Sequence, residues 1–595
     1  VMIHSANTLI AIEQLSTWGY IGRTDAAKLM KAYQFLRTVE HRIQLHLLRR
    51  THLLPTDEET LRIIGKSIGF TSDPAGELVK TVTEHKLQVR MIHERLFYTP
   101  LLDAITQVSD RETRLSETQV SERLIALGFQ DHEDAIRHID ALTRGVSRRS
   151  AINRTLLPIF LKWLSDSPNP DMGLLAFRNL SDALGNTPWF VRLLRDESIA
   201  AQRLIQILGT SKMSGDLLRK APELLQLLAF DHELETFDSD RLEQDLHVIA
   251  QRNTEESDFL QSLLAIRRRE IFRLSAAYVL NMMPSEKISS GLSCLNDLMI
   301  SCYLNFRKER LVTFPNFIVI ALGRYGGMES TFASDADVMF CVREDSVTSN
   351  EQGHQLASQL MAAFSHLGTD LGMNLDAHLR PEGKNGPLVR TIDSFRKYYD
   401  TRADTWERQA LLRARIVYGE SSLRDEFNKL IDEYRYPSGG LSDPETETIR
   451  ALKIRMEKER TKASTSIYPD LKLSPGGLSD VEWLVQLIQM MNAGHSQALR
   501  TVNTLDALHA IEKQNLLGTH EVETLKSAWL QYSHLRNLMT LIEGKPTDVV
   551  FSDPNLLRVL SRASSGKTGN PDDLLAEVNE NRTKVRTIFQ EHFYQ

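Results

Sequence analysis

The sequence predicts a predominantly α-helical α+β protein, with one small α/β core flanked by helical bundle domains. Three observations predict it. Most segments place apolar residues three and four apart. That period breaks once, near Phe314, into short β-rich runs. A helical segment at the N-terminus also recurs near the C-terminus. A chain of 595 residues is too long for a single core, so several domains are expected.

The helices come first. Asp25 to Arg50 (DAAKLMKAYQFLRTVEHRIQLHLLRR) spaces leucines and aromatics along one helix face, with charges between. Ala75 to Phe97 repeats that pattern, and Pro100 fits its end. From about Thr118 to Leu228, helical segments alternate with turn signals such as DSPNPDMG and LGNTP. Ser257 to Met283 reads as one long helix. At Phe314 to Gly323 (FPNFIVIALG) a β-rich apolar run follows Pro315 and closes on a glycine, the pattern of a buried strand. SDADVMFCV supplies a second strand and MNLDAHLRP a third, with the helical GHQLASQLMAAFSHLG between them, an α/β order. From about Phe395 the helical period returns and runs to the C-terminus. The expected division is a helical bundle at 1–100, a helical linker at 101–256, a catalytic domain at 257–420 and a C-terminal helical bundle at 421–595.

The repeat aligns NTLIAIEQLSTWGYIGRTDAAKLMKAY, from Asn7, with NTLDALHAIEKQNLLGTHEVETLKSAW, from Asn503, without a gap. Asn7, Thr8, Leu9, Ala11, Gly22, Leu29 and Ala32 meet identical residues. Apolar positions alone match easily between amphipathic helices; the shared Asn-Thr start and turn glycine point to duplication. The second copy follows the α/β core, so a first core is expected before Val1, and the chain reads as truncated at its N-terminus.

Composition narrows the function. Hydrophobic residues make up 42% and charged residues 25%, as in ordinary soluble globular proteins. A net charge of −7 gives no general electrostatic reason to bind nucleic acid or an anionic membrane. Cys294, Cys302 and Cys341 show no paired spacing, which argues against a disulfide framework or zinc site and for a cytoplasmic protein with reduced thiols. No apolar run approaches the roughly 20 residues of a membrane helix.

The chemistry concentrates in GRYGGMESTFASDADVMF, Gly323 to Phe340. Residues i and i+2 of a strand share a face, so Asp335 and Asp337 project together while Ala336, Val338 and Phe340 pack behind them. On the third strand Asp376, His378 and Arg380 alternate with Leu375, Ala377 and Leu379, and a neighbouring third strand brings Asp376 to the pair. Three crowded carboxylates retain protons unless cations neutralise them. Oxygen ligands with room for water and phosphate suit Mg²⁺. Gly326 and Gly327 offer backbone for close approach to a phosphate, Ser334 adds a hydroxyl, and Arg324 or Arg380 opposes phosphate charge. The implied chemistry is two-metal nucleotidyl transfer, with Asp376 helping to activate the incoming hydroxyl.

These residues resemble the polymerase β-like nucleotidyltransferases. The words ALGRYGGMESTFASDADVMF, LDAHLRPEGKNGPLVRTIDSFRKYY, TWERQALLRARIVYG and DLKLSPGGLSDVEWLVQLIQ are similar to the glutamine synthetase adenylyltransferase/deadenylylase family. FLRTVEHRIQLHLLRRTHLLP resembles the helical segment that closes the first half of such proteins. The resemblance implies two similar nucleotidyltransferase units, the N-terminal one removing AMP from a glutamine synthetase tyrosine by phosphorolysis and the C-terminal one transferring AMP to it from ATP. Only the C-terminal core is expected here. The resemblance implies metal-binding roles for Asp335, Asp337 and Asp376, and a nucleotide-cradling role for Gly326, Gly327 and Ser334. It implies glutamine synthetase and a PII-type signal protein as partners.

Lesser signals remain open or bland. Trp406, Glu407, Arg408 and Gln409 sit on a helix that either lines the site or packs on the core. SPGGLSDVEW (Ser474 to Trp483) reads as a turn with an N-cap at Ser479, with approach to the nucleotide as the other reading. RRRE (Arg267 to Glu270) reads as a solvated helix face, and His41, His46 and His52 as structural histidines. Competing functions are uridylyl transfer to a signal protein, transfer to an RNA end (disfavoured by the acidic balance), and a catalytically silent regulatory scaffold.

Overall fold

The computed structural model describes all residues except 1–4, 6, 18–20, 49–50, 52, 56, 94–116, 146–147, 185–186, 197, 333, 345–348, 372–373, 461–466 and 567–568. Pro100, His52 and the expected boundary at 100/101 lie outside the described residues. The chain forms two compact units, Val1–Ser165 and Asp166–Gln595.

The first unit opens with a four-helix bundle: α1 (Thr8–Thr17), α2 (Arg23–Leu47), α3 (Glu58–Ile68) and α4 (Pro74–His93). Val39, Ile43, Ile64, Leu78 and Val82 form its core. Among the described residues, three further helices follow, Glu117–Ala126, His132–Thr143 and Arg148–Asp166.

In the second unit, short helices lead to two long ones, α5 (Glu256–Val279) and α6 (Ser285–Lys308), which pack on each other. A mixed sheet comes next: β1 (Phe317–Ala321), β2 (Ala336–Val342), β3 (Leu375–Asp376), β4 (Val389–Thr391) and β5 (Arg415–Tyr418). β2 pairs antiparallel with β1 and parallel with both β3 and β4, while β5 covers the other edge of β1. The helix α7 (Ser349–Leu371) connects β2 to β3 and is the crossover that a parallel pair needs. Ile318, Ile320, Met339 and Cys341 bury one face of the sheet against Phe395, Tyr399, Leu423 and Phe427.

After the sheet, α8 (Leu478–Asn492) leads into a second bundle: α9 (Thr504–Lys513), α10 (Thr519–Glu543), α11 (Pro554–Ser565) and α12 (Pro571–Phe593). The repeat reaches further than the matched words. α9 and α10 reproduce the limits of α1 and α2 to the residue at the same offset of 496, and α11 begins where α3 predicts. The bundle-core positions recur as Leu535, Met539, Leu560, Leu574 and Val578, all buried. Asn7 caps α1 through the amides of Leu9 and Ile10, and Asn503 caps α9 through those of Leu505 and Asp506. A left-handed cap ends both long helices, on Leu48 in the first copy and Gly544 in the second. Core volume and caps survive where surface residues drift, because a bundle tolerates apolar exchange of similar size.

The capping asparagines differ in one respect. Asn503 also donates from Nδ2 to the Gly327 carbonyl at 3.1 Å. Asn7→Ala is expected to cost about 1 kcal/mol, the usual value of a cap, and Asn503→Ala about 2 kcal/mol because a carbonyl partner is lost as well. Amide exchange measured on peptides spanning each helix start checks the order.

Several expectations need correction. The third strand stops at Asp376, and His378 and Arg380 fall in the turn that follows, so the alternation read from Leu375 to Arg380 does not persist. β5 lies inside the stretch expected to be helical: Arg415–Tyr418 adds to the open edge of β1, and tertiary pairing overrides the local pattern. RRRE is no solvated face. Arg267 and Glu270 are buried, Glu270 takes hydrogen bonds from Arg269 at 2.9 Å and Arg273 at 2.8 Å, and Arg267 donates to Asn296 at 2.9 Å. Gly477, not Ser479, caps α8. His41 and His46 are exposed on α2. All three cysteines are free. Among the described residues, no helix is long and apolar enough to cross a membrane.

Candidate active site

The parallel register of β2 and β3 sets Asp337 directly opposite Asp376. Asp335 precedes β2 by one residue, is exposed, and lies two positions from Asp337. Of the three, Asp337 is the most enclosed. Burial first, then Asp376 and Asp335, push its carboxyl up to about 7, against the opposing pull of Lys472. Asp376 Oδ1 accepts the His378 backbone N–H at 2.7 Å and lies 2.8 Å from His378 Nδ1. An acidic group held near neutrality by like charges is what a divalent cation relieves, so the carboxylate set fits a cation by its own electrostatics.

β1 delivers the opposite wall. It ends at Ala321, and a single helical turn, Gly323–Gly326, follows. Gly323 has φ +53°, and a Cβ there would stand 2.3 Å from Asp337 Oδ2. The glycine that approaches the acidic group is therefore Gly323.

Gly326 and Gly327 do other work. A Cβ on Gly326 would meet the Arg413 carbonyl at 1.9 Å, and one on Gly327 would meet the Arg413 guanidinium at 2.3 Å. Both are buried against the Arg413 loop, and neither lines the cavity beside the aspartates. The missing side chain of Gly326 admits the Arg413 backbone, and that of Gly327 admits the Arg413 side chain.

That cavity, about 460 Å³, is of the size that takes a small-molecule substrate. Gly323, Arg324, Ser334, Asp335 and Asp337 line it, together with Lys472, Glu482, Gln486, Arg536 and Asp548 from later in the chain. Ser334 uses its hydroxyl locally, accepting the Thr331 N–H at 2.9 Å. Arg324 donates from Nη2 to Glu482 at 2.9 Å. Arg380 is not brought to the cavity. Its guanidinium donates to the carbonyls of Ala377, Lys384 and Gly386 and closes its own turn.

The helix carrying Trp406 to Gln409 also stays out of the lining. Glu407 accepts from Tyr398, Arg408 pairs with Glu445, and Gln409 donates to Gln486, which does reach the cavity. Packing is the better description of Glu407, Arg408 and Gln409, whereas Trp406 is exposed.

Residues missed by sequence reasoning come mostly from the C-terminal helices. Glu482 is enclosed; burial alone would raise its carboxyl, but Arg324, Arg413, Lys472 and Arg536 outweigh burial and hold it low. Arg413 is buried in an ion pair with Glu329, and Glu329 also accepts the Thr504 amide at 2.5 Å. This network ties the start of α9 to the loop after β1. Signals existed for some of these positions: Lys472 and Glu482 lie in the word DLKLSPGGLSDVEW, and Thr504 belongs to the repeated Asn-Thr pair. Arg536 and Asp548 carried none.

Comparison with known proteins places this geometry. Residues 201–430 match the family profile described as glutamate-ammonia ligase adenylyltransferase. Residues 1–97 and 448–593 both match the profile GlnD PII-uridylyltransferase, and these two spans are the repeated bundles. The chain is 41% identical to the bifunctional glutamine synthetase adenylyltransferase/adenylyl-removing enzyme of Streptomyces coelicolor, over 100% of this chain and 62% of that protein. It is 40% identical to the protein of the same description from Cutibacterium acnes, over 96% and 58%, and 37% identical to that of Mycobacterium marinum, over 99% and 61%. The chain thus spans about three fifths of the length of these relatives. With its Asp-x-Asp motif, its closing helices and its match along the whole of this chain, the chain belongs to the glutamate-ammonia ligase adenylyltransferase family.

Proposed function

We propose that the unit spanning 166–595 transfers AMP from ATP to a tyrosyl hydroxyl of glutamine synthetase. The observation that carries this reading is the pairing of Asp337 with Asp376 across β2 and β3, with Asp335 and Asp337 lining a nucleotide-sized cavity. Asp335, Asp337 and Asp376 are the residues assigned to hold Mg²⁺. Held by these residues, Mg²⁺ would supply neutralisation of phosphate charge and acidification of the attacking hydroxyl. Asp376 takes the hydroxyl proton, with its carboxylate oriented by His378. Arg324 and the Ser334 edge of the cavity face the phosphates. The adenylyl-removing activity in the relatives' names is not assigned to this unit. A PII-type protein is the proposed regulatory partner, and the bundles that match a PII-uridylyltransferase profile support it.

That same match favours one second reading, UMP transfer to a PII-type protein. Incubating the chain with Mg²⁺ and labelled ATP or UTP, and with glutamine synthetase or a PII-type protein, separates the two. The expected result is AMP on a glutamine synthetase tyrosine, lost in Asp335→Asn. UMP on the signal protein would replace the first reading with the second. No transfer to either would leave a regulatory scaffold.

A further inference from the structure

The cavity lining carries both signs of charge. Asp335 and Asp337 belong to it, and so do Arg324, Arg413, Lys472 and Arg536, the four cations that act on the enclosed Glu482. Three of the four cations have carboxylate partners: Arg413 pairs with Glu329, Arg324 with Glu482 at 2.9 Å, and Arg536 with Asp548 at 2.5 Å. Lys472 is the surplus charge; among the described residues its ammonium makes no ion pair. Its charge acts on both Asp337 and Glu482.

Two guanidinium groups here are also incompletely used. Arg324 Nη1 and Arg536 Nη1 are buried, and neither meets an acceptor. A buried donor without an acceptor is costly, more so when charged. Arg324 and Arg536 also repel one another, and burial first and then that repulsion hold Arg536 below the ordinary arginine range. Like-charged groups kept together in an enclosed site are suited to an anion with several oxygens. Arginine forks match phosphate geometry, and lysine supplies a mobile point charge.

We infer that Lys472, Arg324 and Arg536 hold the β- and γ-phosphates of the incoming nucleotide and then the departing pyrophosphate. The inference rests on the proposed nucleotidyl transfer and adds the subsite that receives its leaving group. In that step the acceptor oxygen bonds to the α-phosphorus, and the bond from the α-phosphorus to the α–β bridging oxygen breaks. The electron pair stays on pyrophosphate, whose added charge develops beside Lys472, and the acceptor proton passes to Asp376. These residues come from different parts of the chain. Asp335, Asp337 and Arg324 belong to the segment 201–430, and Lys472 and Arg536 to the segment 448–593. The C-terminal helices therefore complete the substrate site.

The test is equilibrium binding to the full chain with Mg²⁺ present, using ATP, AMP and inorganic pyrophosphate as separate probes. Lys472→Gln and Arg536→Gln are each expected to weaken ATP and pyrophosphate by about 10- to 100-fold, the worth of one charge-assisted contact, with AMP changed less than about threefold. Lys472→Arg should restore most of the loss. Arg536→Lys, which keeps a cation for Asp548, serves if Arg536→Gln melts early. If the parent binds ATP in a Mg²⁺-dependent way but the variants bind ATP and pyrophosphate as tightly as the parent, the subsite is wrong and the transfer reading stands. If the variants instead raise only the KM for the protein acceptor, the cations serve the acceptor and the inference falls. A parent that binds neither ATP nor pyrophosphate overturns the transfer reading and the subsite together.

Discussion

Asp337→Asn is expected to abolish AMP transfer, by at least about 1,000-fold, while making the metal-free chain more stable above pH 7. Both effects have one cause. The carboxyl lies beside Asp376 and Asp335 in an enclosed site, so its folded value of about 7 stands above the ordinary 3.8. Below about pH 4 it is protonated in both folded and unfolded chains, and asparagine imitates it. Between about 4 and 7 the unfolded chain gives up its proton while the folded chain keeps it, so folded stability declines as pH rises. Above about 7 both states are ionised and the folded state carries the whole cost, about 4 kcal/mol. Melting the parent and the variant in a chelator at pH 5 and pH 8 checks the sign. The variant's advantage should be larger at pH 8, and Mg²⁺ should stabilise the parent but not the variant. Equal melting at both pH values would remove the like-charge account of this site.

Glu482→Gln is expected to destabilise the 166–595 unit by about 3–5 kcal/mol, the usual cost of breaking a buried charge network. One carboxylate sits within reach of four cations, and its low proton affinity despite burial records how strongly they hold it. Removing the charge leaves Arg324 without its partner at 2.9 Å and sets it against Arg536. Urea unfolding followed by tryptophan fluorescence measures the loss. Added pyrophosphate should restore more stability to the variant than it adds to the parent, because an anion then replaces the missing carboxylate. A loss below about 1 kcal/mol would mean that the cations are solvated independently and form no network.

How much of this was legible beforehand depends on how local each feature is. The helices, β1, β2 and the crossover between β2 and β3 follow from apolar period and glycine punctuation, which are properties of neighbouring residues. The pairing of Asp335 with Asp337 is legible for the same reason, since two positions along a strand share a face. The duplication is legible as words, although its reach through four helices shows only when helix limits and buried positions are set side by side.

What the chain order alone establishes, then, is a helical protein with one acidic strand motif and the family to which such a motif belongs. Folding decided the rest. Asp376 became a partner of Asp337 through parallel pairing across the α7 crossover. Gly326 and Gly327 turned out to admit the Arg413 loop, while Gly323 faces the carboxylate. Arg380 was drawn into its own turn. Lys472, from the turn before α8, and Glu482 and Arg536, from α8 and α10, reached the cavity from more than a hundred residues beyond β2. The physical reason is that local spacing orients a side chain on its own element, whereas charge neutralisation in an enclosed space is settled among elements that meet only once the core has packed.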